Sequence, residues 1–212
     1  MKIKGFVVNP LGENCYVTYD DTKEGVIIDC GCSTESEWTA IKSFIASENL
    51  SIKHLLNTHL HFDHVWGNAF VYRDCLLSPQ AHSADTGIYE EMDEQIRSVV
   101  GFTIPHPPMP SLGRPLKEGD SILFGKTELK VIETPGHTQG SICFYSETDE
   151  VLFSGDTLFS GSCGRTDLEG GNQQDMMRSL AKLAQLPEST TVLCGHGPST
   201  TIEKEKLYNP YM

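Results

Sequence analysis

Short apolar runs separated by turn residues make up the first part of the chain. Residues 3–8, 14–19 and 25–29 have the composition of β-strands, and the connections between them, NPLG and DDTK, are typical of turns. Because both connections are short, we expect these strands to pair as antiparallel hairpins.

A helical period comes next along the chain. Residues 34–47 carry apolar side chains at helical spacing after an N-cap candidate, Ser33 or Thr34. Residues 53–58 then predict a buried strand, which ends where a group of histidines begins.

The rest of the chain continues with helices and strands. Residues 78–100 are predicted to be mostly helical, whereas residues 102–115 contain five prolines and are predicted to be irregular. A helix is predicted at 172–185, and strands are predicted at 121–124, 128–133, 141–145, 151–154 and 190–194. This order favours an α/β (α+β) fold, with two sheets and helices outside them, over a helical bundle.

Composition and charge exclude several classes of protein. The chain of 212 residues has a formal net charge of −13 and no cluster of Lys or Arg, which argues against a nucleic-acid partner. No apolar run approaches the roughly 18 residues of a membrane span, and the N-terminus lacks the apolar core of a signal peptide. No membrane partner and a cytoplasmic location are therefore expected. The seven cysteines are scattered and form no C-x-x-C pair, which favours free thiols.

The segment THLHFDH, residues 58–64, holds three of the eight histidines of the chain. His59 and His61 are two residues apart, so on an extended strand their side chains point the same way. Asp63 and His64 follow at once, and a loop could turn them toward the same point. Because imidazole nitrogens and carboxylate oxygens are ligands of zinc and of its first-row neighbours, this segment predicts a metal site.

Three more candidate ligands each follow a predicted strand. They are His137, Asp156 and His196, and a glycine precedes each one, which permits a tight turn and a close approach to an ion. With the four residues of the THLHFDH segment they make seven potential ligands. Seven are too many for one tetrahedral zinc ion and match two metal ions that share a carboxylate.

Taken together, these motifs resemble a known family. The succession T-H-x-H-x-D-H, T-P-G-H-T, G-D-T and a late G-H resembles the ligand pattern of the metallo-β-lactamase-fold hydrolases over nearly the whole chain. Within that superfamily, Asn14–Val17, Ile28–Gly31 and Leu152–Asp167 look most like the glyoxalase II-like enzymes, the hydroxyacylglutathione hydrolases. The resemblance implies a four-layer αβ/βα sandwich with the site at one edge.

The resemblance also implies a role for each ligand candidate. Two divalent metal ions would be bound, with zinc the first expectation and iron or manganese the alternatives. One ion would be held by His59, His61 and His137, the other by Asp63, His64 and His196, and Asp156 would bridge them.

The chemistry that such a site implies is thioester hydrolysis. A bound metal lowers the pKa of water to about 7, so hydroxide is available at neutral pH to attack a thioester carbonyl. Asp63 would be both a ligand and the catalytic group that orients this hydroxide. The expected substrate and partner is a small thioester similar to S-D-lactoylglutathione, and the oligomeric state stays open.

Arg165, in the C-G-R-T-D stretch, corresponds to the basic residue that contacts the glutathione moiety in the glyoxalase II motif. It is either an anchor for a substrate carboxylate or the ion-pair partner of Asp167. The tail after Gly197 is too short for the helical glutathione-binding domain of glyoxalase II. Residues 1–212 are therefore expected to form one domain, and a different acyl thiol could be the substrate. The Pro-rich segment 102–115 is a candidate for part of the pocket wall.

Two other functions stay open. A persulfide dioxygenase shares the fold and the C-G-R-T-D stretch, and it would use one iron held by His59, His137 and Asp156. A non-catalytic metal-binding or redox protein is the third hypothesis. The number and identity of the bound metals would distinguish the hydrolase from the dioxygenase.

Overall fold

Two β-sheets face each other in the middle of the molecule, in a computed structural model that describes residues 1–212. In spatial order the first sheet contains β1 (Lys2–Val8), β2 (Glu13–Tyr19), β3 (Glu24–Ile28), β4 (Ser51–Leu56) and β5 (Pro79–Gln80). The remaining strands are β6 (Ser121–Phe124), β7 (Thr127–Glu133), β8 (Ile142–Ser146), β9 (Val151–Gly155), β10 (Leu158–Phe159), β11 (Ser162–Cys163), β12 (Thr191–Cys194) and β13 (Thr200–Thr201). The second sheet has the order β13-β12-β9-β8-β7-β6, and β10 pairs with β11 in a separate ribbon.

The pairing of the strands confirms the predicted hairpins. The pairs β1–β2 and β2–β3 are antiparallel, whereas the pairs β3–β4 and β4–β5 are parallel. In the second sheet only β9 and β12 are parallel. Parallel neighbours require a long crossover, and in both sheets the crossovers contain helices.

Helices cover the outer face of each sheet. Their bounds are α1 (Glu35–Ser47), α2 (Phe62–Val65), α3 (Asn68–Cys75), α4 (Thr86–Glu90), α5 (Met92–Val100), α6 (Gln173–Leu183) and α7 (Ile202–Tyr208), with a 3₁₀ turn at Ser83–Asp85. Side chains of α1 and α3 pack on the first sheet, and those of α6 and α7 pack on the second. None of these helices has the length and apolarity that a membrane crossing needs.

Strands β3, β8 and β9 are buried on both faces and are rich in apolar residues for that reason. In β3, Val26 and Ile28 belong to the core between the two sheets, whereas Ile27 packs beneath the helices. In β8, Phe144 lies between the sheets and Tyr145 packs toward α6. The layers are therefore helix, sheet, sheet and helix, which confirms the predicted sandwich.

The predicted cap of α1 is Thr34. Its side chain accepts a hydrogen bond from the Glu37 amide, and the Glu37 carboxylate accepts one from the Thr34 amide, which completes a capping box. Trp38 and Ile41 are fully buried under this helix. The indole of Trp38 donates a hydrogen bond to Asp74 in α3, so the two helices on this face are linked.

Four local predictions were wrong or incomplete. Residues 78–82 are extended and include β5, so the helical part of 78–100 starts only at Ser83. Asp63 and His64 lie in the short helix α2 rather than in a loop. Helices α3 and α7 were not predicted, because their apolar periods are short and weak. The irregular course of 102–115 and the free state of all seven cysteines are confirmed.

We expect Phe144→Ala to lower the free energy of unfolding by about 3–5 kcal/mol, because the fully buried ring fills the space between the sheets. Urea denaturation measures the change. Phe102→Ala is the matched control, since Phe102 is 62% exposed and its loss should change stability by no more than about 0.5 kcal/mol. Equal losses in the two variants would contradict the assignment of the core.

Candidate metal centre

All seven predicted ligands meet at one edge of the two sheets. The THLHFDH segment follows β4, and His137 follows β7. Asp156 follows β9, and His196 follows β12. The strand ends therefore bring together residues that are up to 137 positions apart in the sequence, from His59 to His196.

The first group is made of three histidines. One ring nitrogen each of His59, His61 and His137 lies within 4.8 Å of the other two. His61 Nδ1 is 2.9 Å from His137 Nε2, and the ring centroids of His59 and His61 are 4.9 Å apart. This spacing is short enough for three nitrogens to bind one ion.

The second group combines a carboxylate with two histidines. Asp63, His64 and His196 also place one ligand atom each within 4.8 Å of the others. His196 Nε2 lies 3.2 Å from Asp63 Oδ2 and 3.3 Å from His64 Nε2. The group is largely buried, although His196 keeps a quarter of its side chain exposed.

Asp156 lies between the two groups. Its Oδ1 is 3.3 Å from His64 Nε2 in the second group, and its Oδ2 is 3.6 Å from His137 Nε2 in the first. One carboxylate therefore reaches both groups with different oxygens. This is the geometry that the sequence hypothesis requires of a bridging ligand.

Hydrogen bonds on the far side of three rings fix which nitrogen faces the centre. His137 Nδ1 is 2.7 Å from the Arg165 carbonyl oxygen, and His64 Nδ1 is 3.1 Å from Asp29 Oδ2. Because these oxygens can only accept, each Nδ1 must donate, and each Nε2 keeps its lone pair for the centre. The Thr58 hydroxyl donates its hydrogen to Asp29, so its Oγ1 accepts a hydrogen bond from His59 Nδ1 at 3.1 Å.

The buried carboxylate of Asp29 supports both groups at once. It accepts hydrogen bonds from the Thr58 amide at 2.7 Å and from Thr58 Oγ1 at 2.7 Å, and it contacts His64 directly. Through Thr58 it also orients His59. No role was predicted for Asp29, although it is an acidic residue at the end of an apolar strand.

A second buried aspartate, Asp85, ties the ligand loops together. Its carboxylate accepts hydrogen bonds from the Leu60 amide at 3.2 Å, from Thr138 Oγ1 at 2.8 Å and from the Gly140 amide at 2.7 Å. Leu60 stands between two ligand candidates, and Thr138 follows His137. Asp85 was not predicted as a functional residue, because nothing in its local sequence distinguishes it from a surface acid.

Two observations show that this site fits metal ions: some ligand atoms have no hydrogen-bond partner, and a neighbouring glycine leaves room beside them. His59 Nε2 and Asp156 Oδ1 are buried and have no hydrogen-bond partner, and buried polar atoms of this kind require one. A Cβ at Gly195 would lie 2.3 Å from Asp156 Oδ1 and 2.7 Å from His64 Cε1, so only glycine permits this close approach. A cation bound by His59 Nε2 and Asp156 Oδ1 would satisfy both atoms.

A further buried acid, Glu13, adjoins the second group. Its side chain is fully buried, and neither carboxylate oxygen has a hydrogen-bond partner. Its Oε1 lies 3.9 Å from His64 Nδ1. Burial raises the pKa of Glu13 well above its usual range.

The two groups differ in how readily they hold protons. Burial lowers the pKa of His61 to about 3 and that of His59 well below its usual range. Burial acts in the same direction on His64, but Asp156 and Asp63 outweigh it and raise its pKa. The carboxylate of Asp63 likewise outweighs burial and raises the pKa of His196.

These pKa directions predict a pH order of metal release. His59 and His61 are already unprotonated near neutral pH, whereas His64 and His196 bind protons that compete with a metal. Between pH 8 and pH 5 we expect the second group to lose its ion at higher pH than the first. Metal content after equilibration at each pH measures this, and His196→Ala identifies the second group; loss in the reverse order would contradict it.

A positioning role for Asp29 predicts a loss of metal affinity in Asp29→Asn. The asparagine nitrogen cannot accept a hydrogen bond from His64, so we expect affinity to fall about 10–100-fold. Competition with a chelator measures the affinity, and circular dichroism checks the fold. Asp21→Asn is the matched control, because Asp21 is 91% exposed and remote from the site; an equal effect there would exclude the role.

Arg165 lies beside the centre but its guanidinium is occupied. Its Nε and Nη2 donate to the two Asp167 oxygens, each at 2.7 Å, so the ion pair is bidentate. Its carbonyl oxygen contacts His137, as described above. Of the two roles predicted for Arg165, the ion pair with Asp167 is the one observed.

A cavity of about 620 Å³ opens onto the candidate ligands. His61, Asp63, His137 and Asp156 all line it. The Pro-rich segment 102–115 does not: it lines a neighbouring cavity of about 590 Å³ on the other side of α4 and α5. The expectation that this segment forms a wall of the metal-site pocket was therefore wrong.

The remaining histidines lie outside the centre. His54 contacts Gln80 at 3.0 Å, and His82 caps the 3₁₀ turn by accepting a hydrogen bond from the Ala84 amide. His106 pairs with Asp93 at 3.4 Å. Each has a structural partner.

The family model described as the metallo-beta-lactamase superfamily matches residues 8–196. The chain therefore belongs to the metallo-beta-lactamase superfamily and is related to metallo-hydrolases. It is 33% identical to the probable metallo-hydrolase YqgX of Bacillus subtilis, over 100% of this chain and 98% of that one. It is 32% identical to the hydroxyacylglutathione hydrolase GloC of Haemophilus influenzae, over 100% and 98%.

Solved structures show the same relationship. The BLEG-1 B3 metallo-beta-lactamase superposes with a TM-score of 0.87 at 35% identity, covering 99% of this chain and 99% of that one. TTHA1623, solved in a di-iron-bound form, superposes with a TM-score of 0.86 at 37% identity, covering 99% and 100%. The fold is thus shared with both proteins, and one of them binds two iron ions.

Proposed function

We propose that this protein is a metal-dependent hydrolase of small thioesters, with S-D-lactoylglutathione the first substrate to test. The observation that carries the proposal is the pair of three-residue groups joined by Asp156 at one cavity. Membership of the superfamily and similarity to GloC along the full chain support a glyoxalase II-like reaction. The similarity to a di-iron form of TTHA1623 supports two metal ions and makes iron an alternative to zinc.

The proposed reaction adds water to a thioester. The water oxygen bonds to the carbonyl carbon, the C–S bond breaks, and the products are a carboxylic acid and a thiol. Two divalent ions, held by the seven His and Asp ligands, would supply a water of lowered pKa and a positive charge for the carbonyl oxygen.

The chain's own residues have distinct tasks in this reaction. Asp63 lines the cavity, so its carboxylate can accept a hydrogen bond from the attacking water and orient it. Asp29, through Thr58 and His64, keeps the ligand rings in one orientation. The leaving thiol has a pKa near 8.5 and departs as a thiolate without a strong acid.

A mononuclear dioxygenase explains less of the site. It would use His59, His137 and Asp156 alone. Asp63, His64 and His196 would then have no task, although their ligand atoms meet within 4.8 Å. Because BLEG-1 is similar over the whole chain, a β-lactam is the other substrate class that the test includes.

We expect the metal-loaded protein to release thiol from S-D-lactoylglutathione, and we expect His61→Ala to lose most of this activity while remaining folded. The ligand follows a strand end outside the main cores, so its loss spares the core packing. Metal content and thiol release are measured together. His54→Ala is the matched control, because His54 contacts Gln80 and takes no part in the centre.

Three outcomes would contradict the proposal. One is near-wild-type turnover by His61→Ala at saturating metal. Another is hydrolysis of a β-lactam with no thioester cleaved. The third is oxygen consumption on a persulfide by a protein that binds a single iron, which would favour the dioxygenase.

A further inference from the structure

The cavity at the candidate metal centre has two walls that the ligand loops do not provide. One wall consists of α4, α5 and Glu91 between them, and the other consists of residues 165–170. With a volume of about 620 Å³, the cavity is large enough for a small organic ligand. A thioester bound at the metals would touch these walls with the parts that lie away from its reacting carbonyl.

The walls contain one cation, and it is already neutralised. Arg165 is the only Lys or Arg that lines the cavity. Its bidentate bonds to Asp167 occupy Nε and Nη2 and neutralise its charge. An anionic substrate would therefore compete with Asp167 for this guanidinium and gain little net attraction from the pair.

The walls also contain three glutamates beyond the candidate ligands. Glu94 is paired with Arg97 one helical turn away. Glu91 and Glu169 also line the cavity, are exposed, and form no ion pair. Since the Arg165 and Glu94 pairs are each neutral, the walls keep an uncompensated charge from Glu91 and Glu169.

Apolar side chains make up part of the remaining lining, beside polar residues such as Gln95 and Ser98. Leu11 and Val99, which line the cavity and are 45% and 46% exposed, form an apolar rim. Ile88 and Leu168 continue this surface inward. The cavity thus offers apolar contact with a negative charge on either side.

We propose that Glu91 and Glu169 are specificity-determining residues, and that the cavity selects thioesters that carry an ammonium group and no free carboxylate or phosphate. The inference rests on the proposed function, because it assumes that a thioester is the substrate. Opposite charge attracts the ammonium, while the apolar rim contacts the uncharged part. The formal net charge of −13 acts in the same direction by repelling anions at a distance.

S-D-lactoylglutathione has an unfavourable charge for this cavity. Its glutathione part carries two carboxylates, which the acidic walls repel, and only one ammonium, which they attract. This thioester is then hydrolysed with a high KM. A cationic thioester of the same size has a lower KM.

The test uses three acetyl thioesters that differ in the charge of the thiol arm. Acetylthiocholine is cationic, the S-acetyl derivative of N-acetylcysteamine is neutral, and S-acetyl-3-mercaptopropionate is anionic. The quaternary ammonium of acetylthiocholine cannot attack its own acyl group, so thiol release reports hydrolysis alone. We expect kcat/KM of the metal-loaded protein to fall in the order cationic, neutral, anionic at low salt, and the preference to shrink at high salt.

The variant that tests the residues is Glu91→Gln combined with Glu169→Gln. Exposed charge pairs each contribute up to about 5-fold, so we expect the ratio of kcat/KM for cationic over anionic substrate to fall roughly 5- to 20-fold. The matched control is Glu128→Gln with Glu203→Gln, which changes the net charge equally at exposed positions outside this cavity and its walls. We expect the control to change the ratio less than 2-fold.

Uncleavable thioether analogues of the three arms keep the inference testable without turnover. Calorimetric titration of the metal-loaded protein measures their affinities. If no thioester is cleaved but the cationic thioether binds best and loses this advantage in Glu91→Gln/Glu169→Gln, the proposed function fails and the charge selection stands. If thioesters are cleaved without charge preference, or the variant and the control shift the ratio equally, the charge selection is overturned and the proposed function stands.

Discussion

The electrostatics of seven titratable groups at one sheet edge constrain the rest of this molecule. Five imidazoles and two carboxylates lie there with several ligand atoms less than 4 Å apart. Burial disfavours charge on each group, and a buried polar atom without a partner is costly. A protein can keep such a cluster only if surrounding groups hold the rings in place and the unused atoms receive cations.

The supporting groups around the centre are themselves buried and mostly satisfied. Asp29 and Asp85 each accept three hydrogen bonds, and each joins two segments that are distant in the sequence. Buried hydrogen bonds to these two carboxylates hold the ligand segments more rigidly than a larger number of weak contacts would. The orientation of the imidazole rings therefore depends on the buried residues that support the ligands, such as Asp29, as well as on the ligands themselves.

The ligand groups and the cavity walls have different origins, which separates reaction chemistry from substrate choice. The ligands follow the ends of strands in the two rigid sheets. The walls belong to α4, α5 and the segment 165–170. Glu91 and Glu169 in these walls are not among the candidate ligands, so a change of these two residues can alter the preferred charge of the substrate while the ligand set persists.

Much of this protein could be read from its sequence. The apolar strands of both sheets, α1 with its Thr34 cap, α6 and the seven ligand candidates all have local signals: apolar runs, helical spacing, capping residues, and His or Asp after glycine at a strand end. Only the tertiary structure decided the roles of Asp29 and Asp85, the pairing of Arg165 with Asp167, and the position of 102–115 away from the metal-site cavity. The physical reason is range: strand period and helix caps depend on neighbours a few residues away, whereas a buried hydrogen bond or a free charge depends on which distant segments the fold brings into contact.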